Sequence, residues 1–162
     1  PNYDEWAPGK INLIESKVKW NPTDQIRISL RYNLQQNFRK SDGTLVSESR
    51  VPRIKIEYQI TPTIFLRGVL QYTSRFRDDL RDNSRTEMPI YFKDSDDNYI
   101  LALSETSNDI EADFLFSYRP RPGTLVFFGY GSALTEPNRF RFQSLARQTD
   151  GFFLKISYLF QS

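Results

Sequence analysis

Apolar and polar residues alternate along much of this chain, most clearly near its C-terminal end. From Phe152 every second residue is large and apolar as far as Phe160, while Lys155 and Ser157 lie between them. A period of two predicts a β-strand with one apolar face and one face that tolerates charge. We therefore interpret residues 150–161 as the aromatic-rich closing strand of an outer-membrane barrel, with the last strand of a soluble sheet as the alternative.

Six further segments repeat this pattern, so that seven strands are predicted. Short turns that contain proline alternate with longer polar connections, as in outer-membrane barrels, which have short periplasmic turns and long extracellular loops. Most of the strands approach the ~9–11 residues that a tilted strand needs to cross a bilayer. The six segments are 14–20, 26–35, 52–60, 64–73, 110–118 and 125–132, and the short turns are 21–24, 61–63 and 119–124.

Two of the polar connections, 75–109 and 133–150, are predicted to be long loops. In the first, two short apolar runs flank residues 94–98, which indicates a small hairpin within the loop. Acidic and amide residues there have the spacing of a calcium-binding loop, but Tyr99 occupies the place that requires glycine. A hairpin tip without metal is the better interpretation. Residues 139–147 are expected to form at most one short helical turn.

Aromatic residues occur near both ends of the predicted strands, on the more apolar face. Amphipathic rings are favoured at the two membrane–water interfaces of a barrel. We therefore predict a membrane-interface girdle at each end. The residues toward the short turns are Trp20, Tyr58, Tyr118 and Tyr158, and those toward the long loops are Tyr32, Tyr72 and Tyr130.

Charged residues lie on the opposite face of the predicted strands, which would face the lumen of a barrel. Two interpretations stay open: the charges pair with one another and only stabilise the lumen, or a basic wall favours anionic solutes. Basic residues dominate the first four strands. The predicted lumen-facing residues are Arg27, Arg31, Arg53, Lys55, Glu57, Arg67, Glu111, Asp113 and Lys155, together with Lys17 and Lys19.

Composition narrows the function classes. The 162 residues suit one domain, the net charge is +2, and there is neither cysteine nor histidine. Disulfide scaffolds, thiol chemistry and Ser-His-Asp catalysis are thereby excluded. Glu111 and Asp113 share a strand face but lack a second catalytic group, so no catalytic residue, cofactor or metal is predicted, and the protein is not expected to be an enzyme. Because arginines and aromatics occupy opposite faces, nucleic-acid binding is not expected.

Several segments together resemble a known family. These are 22–27, 52–59, 114–118, 122–124, 127–131 and 150–160. They are similar to the C-terminal part of a family of large outer-membrane proteins of unknown function, in which the barrel follows an N-terminal family-9-like carbohydrate-binding domain. The resemblance implies that this domain and earlier strands lie upstream. It supplies no catalytic motif, and here Gln161 and Ser162 follow the aromatic residue with which an outer-membrane strand signal ends.

The predicted fold is all-β: an antiparallel up-and-down transmembrane β-barrel, of which residues 1–162 form the C-terminal part. Seven strands cannot close cleanly, so missing upstream strands or another chain would complete the wall. The chain begins at Pro1 without a signal segment and is expected to be a fragment or a processed chain. The expected location is the outer membrane, with the lipid bilayer as a partner.

A pore or uptake channel for small solutes is the first predicted function, and the family's upstream domain suggests sugars. The second is a structural or anchoring barrel of a cell-envelope assembly, whose long loops bind a partner. The third is a soluble barrel of lipocalin type with its apolar residues inward. Aromatic bands at both ends favour the membrane over this third option.

Overall fold

The computed structural model describes residue 2 and residues 4–159, and its regular structure consists of β-strands. None of the described residues is in a helix, and accordingly no helix there could span a membrane. The strands are β1 (Gly9–Trp20), β2 (Ile26–Arg39), β3 (Leu45–Thr61), β4 (Ile64–Arg77), β5 (Tyr91–Lys93), β6 (Tyr99–Leu101), β7 (Glu105–Arg121), β8 (Thr124–Thr135) and β9 (Ala146–Tyr158).

Seven strands form one antiparallel sheet in the order β1-β2-β3-β4-β7-β8-β9, while β5 and β6 form a separate hairpin. Each strand of the large sheet pairs with the next one along the chain once the hairpin is set aside. This confirms the predicted all-β, antiparallel, up-and-down arrangement. Within the described residues the sheet does not close on itself, because β1 and β9 each have a single neighbour.

The strands reach further than the hydrophobic pattern predicted. β3 and β7 each have 17 residues, and strand pairing continues into both ends of the predicted loop 75–109. The predicted hairpin is present as β5 and β6. Residues 136–145 connect β8 to β9 through a turn in which the N–H of Arg141 donates to the carbonyl of Asn138 at 3.4 Å. No helical turn forms within residues 139–147, and β9 starts at Ala146, where it pairs with the end of β8.

The short turns and the long loops lie at opposite ends of the sheet. We call these the turn end and the loop end. At the turn end, Gly123 has a φ of 85°, in the left-handed region that favours glycine. At the loop end, Gly43 has a φ of 73° in the β2–β3 connection. The predicted closing strand 150–161 lies within β9 as far as Tyr158, while Phe160 and Gln161 fall outside the described residues.

Burial is concentrated at the loop end. Val46, Leu80 and Ala102 form a small core cluster there, against which Ile90 packs. The remainder of the sheet is a single layer with solvent on both faces, and all 13 residues of β9 are exposed. Large apolar side chains stay uncovered on this layer, with exposed fractions between 39% and 66%: Leu30, Ile56, Leu70, Phe114, Phe128 and Ile156.

Candidate functional site: the two faces of the sheet

The register places the predicted apolar residues of all seven strands on one face. One row of directly paired residues runs from Leu30 through Ile54 and Leu70 to Ala112 and Ser132. All of these positions are even-numbered, and side chains alternate between faces along a strand. Away from the irregular strand ends, the even-numbered residues therefore form one surface, the apolar face, and the odd-numbered residues form the other, the polar face.

All eleven predicted lumen-facing residues lie on the polar face, since each has an odd number and pairs with an odd-numbered partner. One row across it alternates in charge, with Glu57 directly between Arg27 and Arg67. Among the described residues, the eleven make one ion pair with each other, from Lys55 Nζ to Glu57 Oε2 at 2.9 Å. Mutual pairing of these charges is thus observed at one place.

Basic residues gather at the β1 side of the polar face. Arg31 lies directly between Lys17 and Arg53, and in the adjacent row Ser29 lies between Lys19 and Lys55. We call Lys17, Lys19, Arg31, Arg53 and Lys55 the basic cluster. Across the described part of the chain, Lys55 is its one member with an acidic partner. The carboxylates Glu111 and Asp113 lie on β7, two strands beyond β3 and outside the basic cluster.

The turn-end aromatics form a regular oblique line on the apolar face. The row of paired residues that contains Trp20 meets β3 at Ile56, two residues short of Tyr58, which lies nearer the turns. The row of Tyr58 meets β7 at Phe116, two residues short of Tyr118. The row of Tyr118 meets β9 at Ile156, two residues short of Tyr158. The line therefore shifts by one residue per strand from β1 to β9.

The loop-end aromatics follow a parallel line with one exception. Tyr32 lies two residues from the row that joins Leu30 to Ser132, on its loop-end side. Tyr130 lies two residues from the same row, on its turn-end side. Between β2 and β8 the line again shifts by one residue per strand. On β4 this line passes through Leu70, whereas Tyr72 lies two residues further toward the loops. Tyr72 is thus displaced from the predicted girdle.

A segment from the β8–β9 connection covers Tyr72, which is only 6% exposed. The ring of Phe140 stacks on it at a centroid distance of 4.4 Å, and the ring of Phe142 meets it edge-on at 5.6 Å. The N–H of Phe140 donates to the Tyr72 hydroxyl at 2.9 Å. The prediction that Tyr72 is an interface aromatic is not supported by this geometry, because a ring beneath protein cannot also be exposed to the headgroup region.

Residues 136–145, the strap, are held by their own polar contacts. A carboxylate oxygen of Glu136 accepts the N–H groups of Arg141 and Phe142 at 2.6 and 2.9 Å. Phe140 and Phe142 have φ of 57° and 53°, which costs non-glycine residues about 1–3 kcal/mol each. The aromatic contacts and these hydrogen bonds offset that cost. Between strap and sheet lies an apolar groove of about 610 Å³.

The strap is also tied to the apolar face through Arg139. Its Nη1 donates to Glu48 at 2.8 Å, and its Nε donates to the Ser74 hydroxyl at 2.8 Å. Ser74 in turn donates to Asn108 at 2.8 Å. These three acceptors are buried and even-numbered. At the loop end, the apolar face thus becomes a buried polar network.

A second buried network joins the N-terminal segment to the loops. The guanidinium of Arg39 donates to the Glu5 carboxylate at 2.6 Å and to Asp78 at 2.7 Å, and both Arg39 and Glu5 are almost fully buried. Burial alone would lower the pKa of Arg39, but these hydrogen bonds more than offset it and raise the pKa. Glu5 also accepts the N–H of Arg81 at 3.2 Å.

The sequence pattern did not reveal these two networks. Glu5, Arg39 and Glu48 lie in segments where charge normally indicates a solvated surface, so nothing in the sequence distinguished them. The strap had one usable signal, which is the pair Phe140 and Phe142 in an otherwise polar connection. The predicted hairpin tip is confirmed: the Asp94 carboxylate accepts the N–H groups of Asp96 and Asn98 at 2.9 and 2.8 Å.

Comparison of the chain with protein-family models, with curated proteins and with solved structures found no match. The resemblance to the outer-membrane family stays a prediction that rests on the segments quoted above. The functional assignment therefore depends on the physical properties of the two faces.

Proposed function

We propose that this chain forms part of the wall of an outer-membrane β-barrel, whose polar face lines a water-filled passage for small solutes. The observation that carries the proposal is the single-layer apolar face, which runs in register across seven strands and has an oblique aromatic line at its turn end. An apolar surface of this extent needs a nonaqueous surrounding. Lipid supplies one, and the outward-facing band of membrane barrels has this composition.

The slope of the aromatic lines supports a tilted transmembrane sheet. A shift of one residue per strand is a rise of ~3.3 Å for each ~4.8 Å step between strands, which corresponds to about 35°. Strands of outer-membrane barrels tilt by about 35–45°, and a barrel whose shear equals its strand number tilts by about 36°. With that tilt, Trp20, Tyr58, Tyr118 and Tyr158 lie at one depth, as a membrane interface requires.

The edges of the sheet define the partners under this proposal. Unpaired backbone groups in a bilayer cost several kcal/mol each. The outer edges of β1 and β9 therefore pair with further strands, from an upstream part of a longer protein or from another chain. The family resemblance favours the upstream part, and its carbohydrate-binding domain makes sugars a candidate solute class.

Cysteine accessibility tests which face is in lipid, and these 162 residues contain no cysteine that would have to be removed first. Single cysteines would be placed on each face and treated with a water-soluble thiol reagent in native outer membranes. We expect protection on the apolar face and reaction on the polar face. The reverse pattern, in a soluble protein, would replace this proposal with a soluble barrel. The apolar-face sites are Ile28, Ile56, Phe116 and Ile156; the polar-face sites are Arg27, Lys55, Ser117 and Lys155.

A second candidate function is an anchoring barrel that binds a partner through its loops. The observation that favours it is a group of large apolar side chains that remain exposed at the loop end although this end is otherwise well packed. Conductance of the full-length protein in planar bilayers separates the two candidates. No current, even after the loops are truncated, would favour the anchor. The exposed residues are Tyr91, Phe92, Tyr99 and Ile100, together with Met88 and Leu103.

A further inference from the structure

We propose that the basic cluster on the polar face is a binding site for a doubly charged oxyanion, a phosphate or sulfate group that is free or carried by a small solute. The inference deepens the proposed function and rests on it in one respect, namely that the polar face is in contact with water. It does not require that the chain conduct ions. The site would make anionic solutes the preferred class.

Strand pairing forces like charges together in this cluster. Lys17, Arg31 and Arg53 are direct neighbours on three adjacent strands, and directly paired residues have Cβ atoms about 4.5–5.5 Å apart. Like charges in such pairs destabilise a sheet. The only acidic partner within the described chain is Glu57, which pairs with Lys55. A bound dianion would neutralise this excess positive charge.

The basic cluster lines a space that is open to solvent. This surface depression of about 270 Å³ is lined by all five basic residues together with Ser29 and Leu30. Ser29 lies at its middle, between the two lysine-bearing strands, and its hydroxyl is a further donor. The side chains of Lys17, Lys19, Arg31 and Arg53 are exposed, so an anion in solution can reach them.

The donor types favour an oxyanion over a halide. An arginine guanidinium presents paired N–H groups that match two oxygens of a phosphate or sulfate, and a lysine ammonium adds a compact charge. Two arginines on adjacent strands and three lysines around them supply donors to several oxygens of one tetrahedral anion. Chloride has no such geometry to match, and a carboxylate has two oxygens and a single charge.

The same face contains a matched control. Arg27 and Arg67 flank Glu57 in a charge-alternating row. They lie on the same face as Arg31 and Arg53 and are likewise exposed. Removing either pair changes the net charge equally. None of these four arginines makes an ion pair within the described residues; Arg31 and Arg53 are direct neighbours on adjacent strands, whereas Glu57 separates Arg27 from Arg67.

Calorimetric titration of the full-length protein in detergent with sulfate, inorganic phosphate and chloride tests the site. We expect sulfate and phosphate each to bind saturably, and we expect chloride not to compete with them for the site. The double variant R31Q/R53Q should weaken binding by about tenfold or more, since charge-assisted hydrogen bonds are lost, and R27Q/R67Q by less than about threefold. No saturable oxyanion binding, or equal weakening in both variants, would overturn the proposal. If R31Q/R53Q does not fold, R53Q alone carries the comparison.

Reversal potentials in planar bilayers distinguish failure of the site from failure of the channel. Under a potassium chloride gradient we expect anion preference in the wild type and its reduction in R31Q/R53Q but not in R27Q/R67Q. Oxyanion binding without any current would support the site and contradict the channel. Current without oxyanion binding would contradict the site and leave the channel standing.

Discussion

The two halves of β3 differ sharply although they belong to one continuous strand. Near the loop end Val46 is 0% exposed and Glu48 is 5% exposed, whereas Ile56 toward the turns is 43% exposed. Both halves have hydrogen-bonded neighbours on each side. The difference is what lies over them: loops and the strap cover the first half, and nothing within the described chain covers the second.

This contrast shows that the two ends are stabilised by different surroundings. The loop end forms its own interior, with an apolar cluster and buried ion pairs. The turn half presents an apolar face whose burial must come from outside the described chain, and we propose that lipid provides it. Substitutions at the loop end should therefore act in any medium, whereas substitutions on the apolar face of the turn half should act through the bilayer.

The largest expected change in the free energy of unfolding comes from a substitution at the loop end. Arg39→Met would leave Glu5 buried without its partner, and breaking a buried ion pair costs about 3–5 kcal/mol. Denaturant unfolding of the full-length protein, in vesicles and in detergent, measures the loss. The control is Arg75→Met, whose exposed ion pair with Asp109 at 3.8 Å is worth at most ~1 kcal/mol. Equal effects of the two substitutions would contradict a buried role for Arg39.

The second-largest loss of stability is expected when a charge is placed on the apolar face of the turn half. Phe116→Arg is expected to cost about 2–4 kcal/mol in a bilayer, as charged residues do near the midplane of a barrel's lipid face. Ser117→Arg, on the neighbouring residue but the opposite face, should be nearly neutral. Unfolding of both variants in lipid vesicles would measure this. A destabilising S117R beside a tolerated F116R would reverse the assignment of the two faces.

A substitution beneath the strap should cause a smaller loss of stability, confined to the strap itself. Tyr72→Leu removes the hydroxyl that accepts the Phe140 N–H and one partner of the ring stack, worth together about 1–2 kcal/mol. Hydrogen exchange of the Phe140 and Phe142 amides should accelerate about 5–30-fold. Tyr32→Leu, an exposed tyrosine on the same face, is the control. Unchanged exchange in Y72L would mean that Tyr72 does not hold the strap.

The smallest expected effect is a pH dependence at the β2–β3 loop. The N–H and hydroxyl of Thr44 donate to Asp42 at 3.0 and 2.8 Å, and with Arg81 they lower its pKa to about 2. Because the folded pKa lies below the ordinary value of 3.8, the stabilising contribution is present above that value and disappears as the pH falls toward 2.

Digestion with an acid-resistant protease, between pH 5 and about 2, would measure this loss as cleavage within residues 40–44. The wild type should become more susceptible as the pH falls, and Asp42→Asn should be susceptible throughout. An identical pH profile in the two proteins would show that another carboxylate controls the loop.

Local patterns were sufficient for the strands and their faces. The even-numbered residues Ile28, Ile56 and Phe116 were assigned to one face from alternation alone, and the register confirms that assignment. The hairpin tip at Asp94 also followed from local composition. Strand ends were less predictable, since β3 and β7 continue through polar residues that resemble a loop. Tyr72 was grouped with the girdle because alternation cannot show what covers a side chain.

By itself, then, the sequence determined an all-β chain with seven alternating strands, an apolar and a polar face, and aromatics near both strand ends. These properties depend on residues within a few positions of one another. The tertiary structure alone decided the slope of the aromatic lines, the burial of Arg39 with Glu5, the cover over Tyr72 and the meeting of Lys17, Arg31 and Arg53. Each of these depends on strand register or on how a loop folds back. Both are set by contacts between residues far apart in the chain, which a local period cannot encode.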